Sequence, residues 1–153
     1  MEIPVAASAK SSVALELSKV LADSYSLYLK THGYHWNVKG PNFSSLHGLF
    51  MAQYTEMWNA LDEIAERIRA LGETAPMSGA AFGNLTSMKE GDPTLSWEDM
   101  LKDLKAGHKQ VIDTLEATQK AAEAAGDAPT VDLVNARLAA HQKHQWMIKA
   151  TLG

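Results

Sequence analysis

Three of the chain's six histidines fall in one short stretch, "THGYHWNVKGPNFSSLH", at positions 31 to 47. His32, His35 and His47 are imidazoles that can hold a metal ion or move a proton. Further along, "LDEIAERIRALG" carries Asp62 and Glu66 four residues apart, so they share one helix face. The chain has no cysteine, which leaves imidazole and carboxylate as the donors. That pairing suits Fe(II), Mn(II) or Zn(II) better than Cu(I). An Asp-x-x-x-Glu pair alone more often marks a solvated helix face. Here Leu61, Ala65 and Ile68 surround it, so the pair borders an apolar stripe. Counting 100° per residue from His47, Trp58, Asp62 and Ala65 come within ~60° of it, with Glu66 at ~100°.

These residues cannot meet inside one chain. His47 and Asp62 are fifteen positions apart on one helix, about 22 Å at the α-helical rise. A ligand atom stands only about 2 Å from its ion. Either the two groups are unrelated, or a second copy lies antiparallel across a two-fold axis. In the second case the histidine end of one chain meets the carboxylate end of the other, and the interface creates two identical sites.

The elements that position them read as helices throughout. Val13, Leu17, Val20, Leu21, Tyr25 and Tyr28 recur at helical spacing and predict a first helix over about 11–36. Gly33 weakens its end, and Gly40-Pro41 break the chain. Asn42 is a good capping residue for a second helix running to Leu71, with Gly72 closing it. Its stripe is Phe43, Leu46, Phe50, Tyr54, Trp58, Leu61, Ala65, Ile68 and Leu71. Residues 73–94 carry glycines and prolines, with a short helix expected around 80–82. So long a connection suits a crossover between two parallel helices. Ser96 with Asp99 three residues on signals a third helix, flanked by Leu95 and Met100 as a staple. It is expected to end at Gly126, and a fourth to run from about Pro129 to Leu152. The expectation is all-α: one four-helix bundle in a single domain, 1–153, with residues 1–10 as a short tail.

Bulk properties exclude several classes. Hydrophobic residues make up 46% of the 153 and charged residues 21%, ordinary for a globular chain. No apolar run approaches the ~20 residues of a membrane helix. The first residues lack a basic segment followed by an apolar one, so cytoplasm is the expected location. The net charge is -4 with Lys and Arg scattered, so DNA binding would need a local patch or assembly. Glycine-rich phosphate loops, G-x-S-x-G, H-E-x-x-H and C-x-x-C are all absent.

"HWNVKGPNFSSLH" followed by "DEIAERIRALG" resembles the Dps proteins, the miniature ferritins, and the resemblance runs the whole chain to "HQKHQWMIKATL". It implies a ferritin-like bundle, a hollow dodecamer, and iron sites at two-fold interfaces. It also implies Fe(II) oxidation, typically with hydrogen peroxide, mineral storage and protection of DNA from oxidative damage. His35 and His47 match the family's histidine ligands, and Asp62 and Glu66 the carboxylates offered by the neighbouring subunit. Trp36 matches the tryptophan beside the centre that intercepts oxidising equivalents. One position departs: four residues after the second histidine the family usually has a carboxylate, and here it is Met51. A soft thioether suits Fe(III) poorly, and Glu56 lies ~180° around the helix from His47. The centre is therefore expected to hold one ion well and a second weakly. Full-length ferritins carry Glu-x-x-His pairs inside each bundle, and this chain has none, which argues against an intra-subunit di-iron site.

The remaining histidines get plainer readings. His32 is expected at the surface or an interface rather than as an auxiliary ligand. His141 and His144 are read as surface residues near a helix C-terminus, where positive charge is favoured. His108 is given no role, and Met51, Met57 and Trp58, on one helical stripe, are read as packing, for Trp58 by default. Two other functions compete. One is a DNA-binding shell that shields the nucleoid, weakened by a single basic residue, Lys10, in the first seventeen. The other is a shell whose metal site has decayed through Met51.

Overall fold

The structure, a computed structural model, describes residues 7–153. Five helices follow one another: α1 (Ala7–Asn37), α2 (Phe43–Ala70), α3 (Gly79–Leu85), α4 (Trp97–Ala124) and α5 (Ala128–Leu152). Among the described residues there is no strand, and no helix is long and apolar enough to cross a membrane. α1 starts at Ala7, four residues before the sequence-based start, so 7–10 are helical rather than tail. The other six residues of the expected tail, 1–6, lie outside the described residues. Gly33 does not stop α1; the helix continues through it to Asn37.

The four long helices take an up-down-down-up order. Tyr34 and Lys30 of α1 meet Asp103 of α4, while Asp23 of α1 meets Thr114 of α4. Rising numbers on one helix face falling numbers on the other, so α1 and α4 are antiparallel. Gln53 of α2 meets His144 of α5, and Arg67 meets Thr130, so that pair is antiparallel too. The crossover carrying α3 makes α2 and α4 parallel, as its length implied. Its path is pinned by Asp23, 2% exposed, whose two carboxylate oxygens accept from Thr86 of the crossover and Thr114 of α4.

Local signals set the boundaries. The Ser96 side chain accepts from Asp99 N at the start of α4, and Asp127 accepts from Thr130 N at the start of α5. Gly72 and Gly126 follow α2 and α4 with positive φ, the left-handed geometry that ends helices at little cost in glycine. The core is the aliphatic filling expected of such a bundle, including Val13, Leu17, Leu27, Phe50, Ile64, Leu104, Leu115 and Ile148, none of them exposed. At Gly107 the helices approach so closely that a Cβ would stand 2.6 Å from Leu27 Cδ1.

A candidate metal centre at the α1–α2 corner

His35 sits in the last turn of α1 and His47 in the second turn of α2. The corner between them is short and fixed. Val38 N donates to Tyr34 O, Phe43 N donates to Gly40 O, and Gly40 takes φ 124°, a value that favours glycine. A Cβ there would also stand 3.2 Å from the Trp97 ring. This turn brings the two imidazoles face to face, their centroids 3.6 Å apart and their planes 14° apart.

Their hydrogen bonds are reciprocal. His35 Nδ1 lies 2.7 Å from His47 O, and His47 Nδ1 lies 2.7 Å from His35 O. A carbonyl oxygen only accepts, so each Nδ1 is the donor and Nε2 is the nitrogen left to offer a lone pair to an ion. That is how metal-binding imidazoles are usually held: one nitrogen donates to a fixed acceptor, and the other is presented to the ion. The lone pairs lie in the ring planes. Two nearly parallel, stacked planes cannot direct both at a single ion about 2 Å away. The corner therefore offers two ion positions, one in each ring plane.

The described residues of one chain complete neither position. Among the described residues no three His, Asp or Glu side chains come together as a metal cage. Asp62 and Glu66 are exposed further along α2, and neither makes a side-chain hydrogen bond or ion pair with a described residue. Asp62 borders a groove of about 390 Å³ lined by Trp58, Leu61, Ala65, Met77 and Phe82. Trp58, Met77, Met51 and Phe43 all leave large apolar surface uncovered. Uncovered apolar surface of this size, beside the carboxylates of Asp62 and Glu66, has the character of an interaction surface.

The neighbouring aromatic residues form a contiguous cluster of stacked, tilted and edge-on rings. His32 stacks on Tyr54 with centroids 3.8 Å apart, and its Nδ1 is engaged by the Tyr28 hydroxyl at 2.9 Å. Burial, with a smaller contribution from His35, lowers the His32 pKa. Trp36 is 61% exposed and reaches the corner through His32, 4.3 Å away, while Tyr54 lies 5.2 Å from His35. Tyr28 extends the cluster to Trp58, a tilted pair with centroids 5.2 Å apart.

Inside the bundle the structure corrects the sequence reading. His141 and His144 are buried, 0% and 7% exposed, not surface residues. They face inward because α5 turns a polar stripe toward the core. His144 Nε2 lies 2.8 Å from Glu56 Oε1, and Arg137 makes a two-pronged ion pair with the same carboxylate. His108 and His141 share one proton between their Nδ1 atoms, 2.9 Å apart. Arg137 faces His141 Nε2 at 3.3 Å, and as a donor it fixes that nitrogen as the acceptor. The His141 proton is then on Nδ1, given to His108. Burial, then the charges of His144 and Arg137, hold His108 at about 3. His141 is held well below the ordinary imidazole range by burial first, then by His108 and Arg137. Burial pushes Glu56 up, but hydrogen bonds from His144 and Arg137 and their charge outweigh it, leaving the carboxyl at about 2. Glu56 is thus tied to α5, pointing away from His47, and cannot serve the corner.

Residues 14–153 match the model of the ferritin-like domain. The chain is 34% identical over 140 residues to a DNA protection during starvation protein of Brevibacillus brevis, covering 92% of this chain and 94% of that one. A Dps crystal structure from Bacillus brevis is 33% identical, covers both chains completely and superposes with a TM-score of 0.92. The Dps structure from Vibrio cholerae O1, described as a member of a broad superfamily of ferritin-like diiron-carboxylate proteins, superposes at 0.94 with 27% identity, covering 100% of this chain and 96% of that one.

Proposed function

Since the chain belongs to the Dps family of ferritin-like proteins, we propose that it oxidises Fe(II) at centres shared between two copies and stores the product in an assembled shell. The observation that carries this is the reciprocal lock of His35 and His47, which leaves two aimed Nε2 atoms with no third ligand among the described residues. In this reading His35 of one copy and Asp62 with Glu66 of another hold Fe(II), antiparallel across a two-fold axis. The about 22 Å between His47 and Asp62 along α2 becomes the spacing of the two equivalent centres. The shell is a dodecamer by family likeness, and the cytoplasm is its working compartment.

Hydrogen peroxide is the favoured oxidant. Two Fe(II) ions give up one electron each, and with two protons one peroxide becomes two waters. Both electrons are then used at the centre and no hydroxyl radical leaves. Carboxylates supply hard anionic oxygen that favours Fe(III) over Fe(II), which drives the oxidation. Should an odd electron be needed, the contiguous rings of Trp36, His32 and Tyr54 are the route by which an aromatic ring supplies it. Met51 removes the carboxylate expected beside His47, so one iron position is filled well and the other weakly. DNA is protected by consuming iron and peroxide rather than by direct binding, since the net charge is -4.

The test is anaerobic loading with Fe(II) followed by peroxide, reading ferric absorbance. The parent should oxidise iron without hydroxyl-radical adducts of a spin trap. A variant with His35→Ala and Asp62→Ala that oxidises iron as fast as the parent would remove the assignment.

A further inference from the structure

The two ion positions at the corner differ in what stands beside them. In the reading above, the position at His35 is the one that a second copy's Asp62 and Glu66 would complete. His47 has a different neighbour. Its ring is stacked against both His35 at 3.6 Å and Phe43 at 4.9 Å, so the open approach is along the ring edge that carries Nε2. One turn further along the same face of α2 is Met51, four residues on and half exposed. Met57 and Met100 are fully buried and Met88 nearly so, which makes them core packing. Met51 fills no core position.

Among the described residues no hard anionic donor of the same chain serves this position. Glu56 is on the opposite side of α2, bound to Arg137 and His144. Because the ring planes are nearly parallel, a ligand set at His47 is separate from the one at His35. What the described residues of one copy offer at His47 is one imidazole nitrogen and, one turn on, the thioether sulfur of Met51. Side chains at this spacing have Cβ atoms about 5–6 Å apart and can close on one ion. Neutral, soft donors in low number favour a soft monovalent cation over Fe(III), and thioether ligation selects Cu(I). Imidazole with carboxylate alone would not; Met51 changes the preference of this one position.

We propose that His47 Nε2 and Met51 Sδ form a Cu(I) site beside the iron position headed by His35. It rests on the two-position reading of the centre but not on the carboxylates of a second copy. The bound ion would be cuprous and held without change of oxidation state, so the site would withdraw a second peroxide-reactive metal from solution.

The experiment titrates the assembled protein anaerobically with Cu(I) against the chromophoric chelator bicinchoninate, with size-exclusion chromatography confirming assembly of every variant. The parent should withhold one Cu(I) per chain. Met51→Leu and His47→Gln should each weaken retention at least tenfold, and Met51→Asp should lose Cu(I) while gaining Fe(II) stoichiometry. X-ray absorption at the copper edge should show a sulfur neighbour, which in a chain without cysteine can only be methionine. Asp62→Asn with Glu66→Gln should keep Cu(I) while losing Fe(II), which separates this proposal from the iron reading. Undiminished retention in Met51→Leu, a copper shell of nitrogen and oxygen only, or loss of Cu(I) in the carboxylate variant would each overturn the proposal.

Discussion

Acid should destabilise this bundle through its interior before it reaches the carboxylates at the surface. His108 is fully buried and held at about 3, against an unfolded value near 6.5. Between those two values the unfolded chain binds more protons than the folded one, so stability rises with pH across the window and falls on acidification. At about 1.4 kcal/mol per pH unit, His108 alone removes about 3 kcal/mol between pH 6.5 and pH 4. His141, shifted in the same direction, steepens the loss. Glu56, held at about 2, adds stability that is present above the unfolded carboxylate range and lost below it, which extends the decline toward pH 2. The assay is denaturant unfolding at fixed protein concentration, from pH 7 to pH 4, on the parent and on His108→Gln. Glutamine can still accept the His141 proton but does not titrate. The variant should lose about 3 kcal/mol less over the window. An equally steep loss in His108→Gln, or an NMR titration of His108 near 6.5, would refute the reasoning.

Two further perturbations follow from the packing. Glu56→Gln strips Arg137 and His144 of their charged acceptor; because the carboxylate is partly solvated, the cost should be about 1–3 kcal/mol, read from the urea midpoint. Gly107→Ala forces Leu27 to give way where α1 and α4 touch, and should cost about 1–3 kcal/mol with the helix content unchanged by circular dichroism.

How much could be read beforehand follows from where each signal lives. The long helices and the crossover rest on stripes, caps and a glycine- and proline-rich connection, all of which are local. The separation of His47 from Asp62 is arithmetic along one helix, so the sequence already shows that a site joining them would need a second copy. The reciprocal hydrogen bonds are not legible there, because they run to backbone carbonyls whose direction depends on the Gly40 turn. His141 and His144 misled for a related reason. Histidines three apart among Gln and Lys look like a solvated face, and the partners that bury them are Glu56, far back in α2, and His108 in α4. Glu56 was excluded from the corner by its angle on the helix, and the interior network supplies its actual employment.

Sharing of the centre between copies is the claim on which the rest depends, and mixing subunits measures it. One variant carries His35→Ala and His47→Ala; the other carries Asp62→Asn and Glu66→Gln. Each alone should be inactive toward Fe(II) and peroxide. In a heterodimer across the two-fold axis one centre has lost all its ligands and the other has kept them all. Random co-assembly of equal amounts should therefore restore about one quarter of the parental rate. A mixture as inactive as its two components, with mixed assembly confirmed by mass spectrometry, would contradict the shared centre.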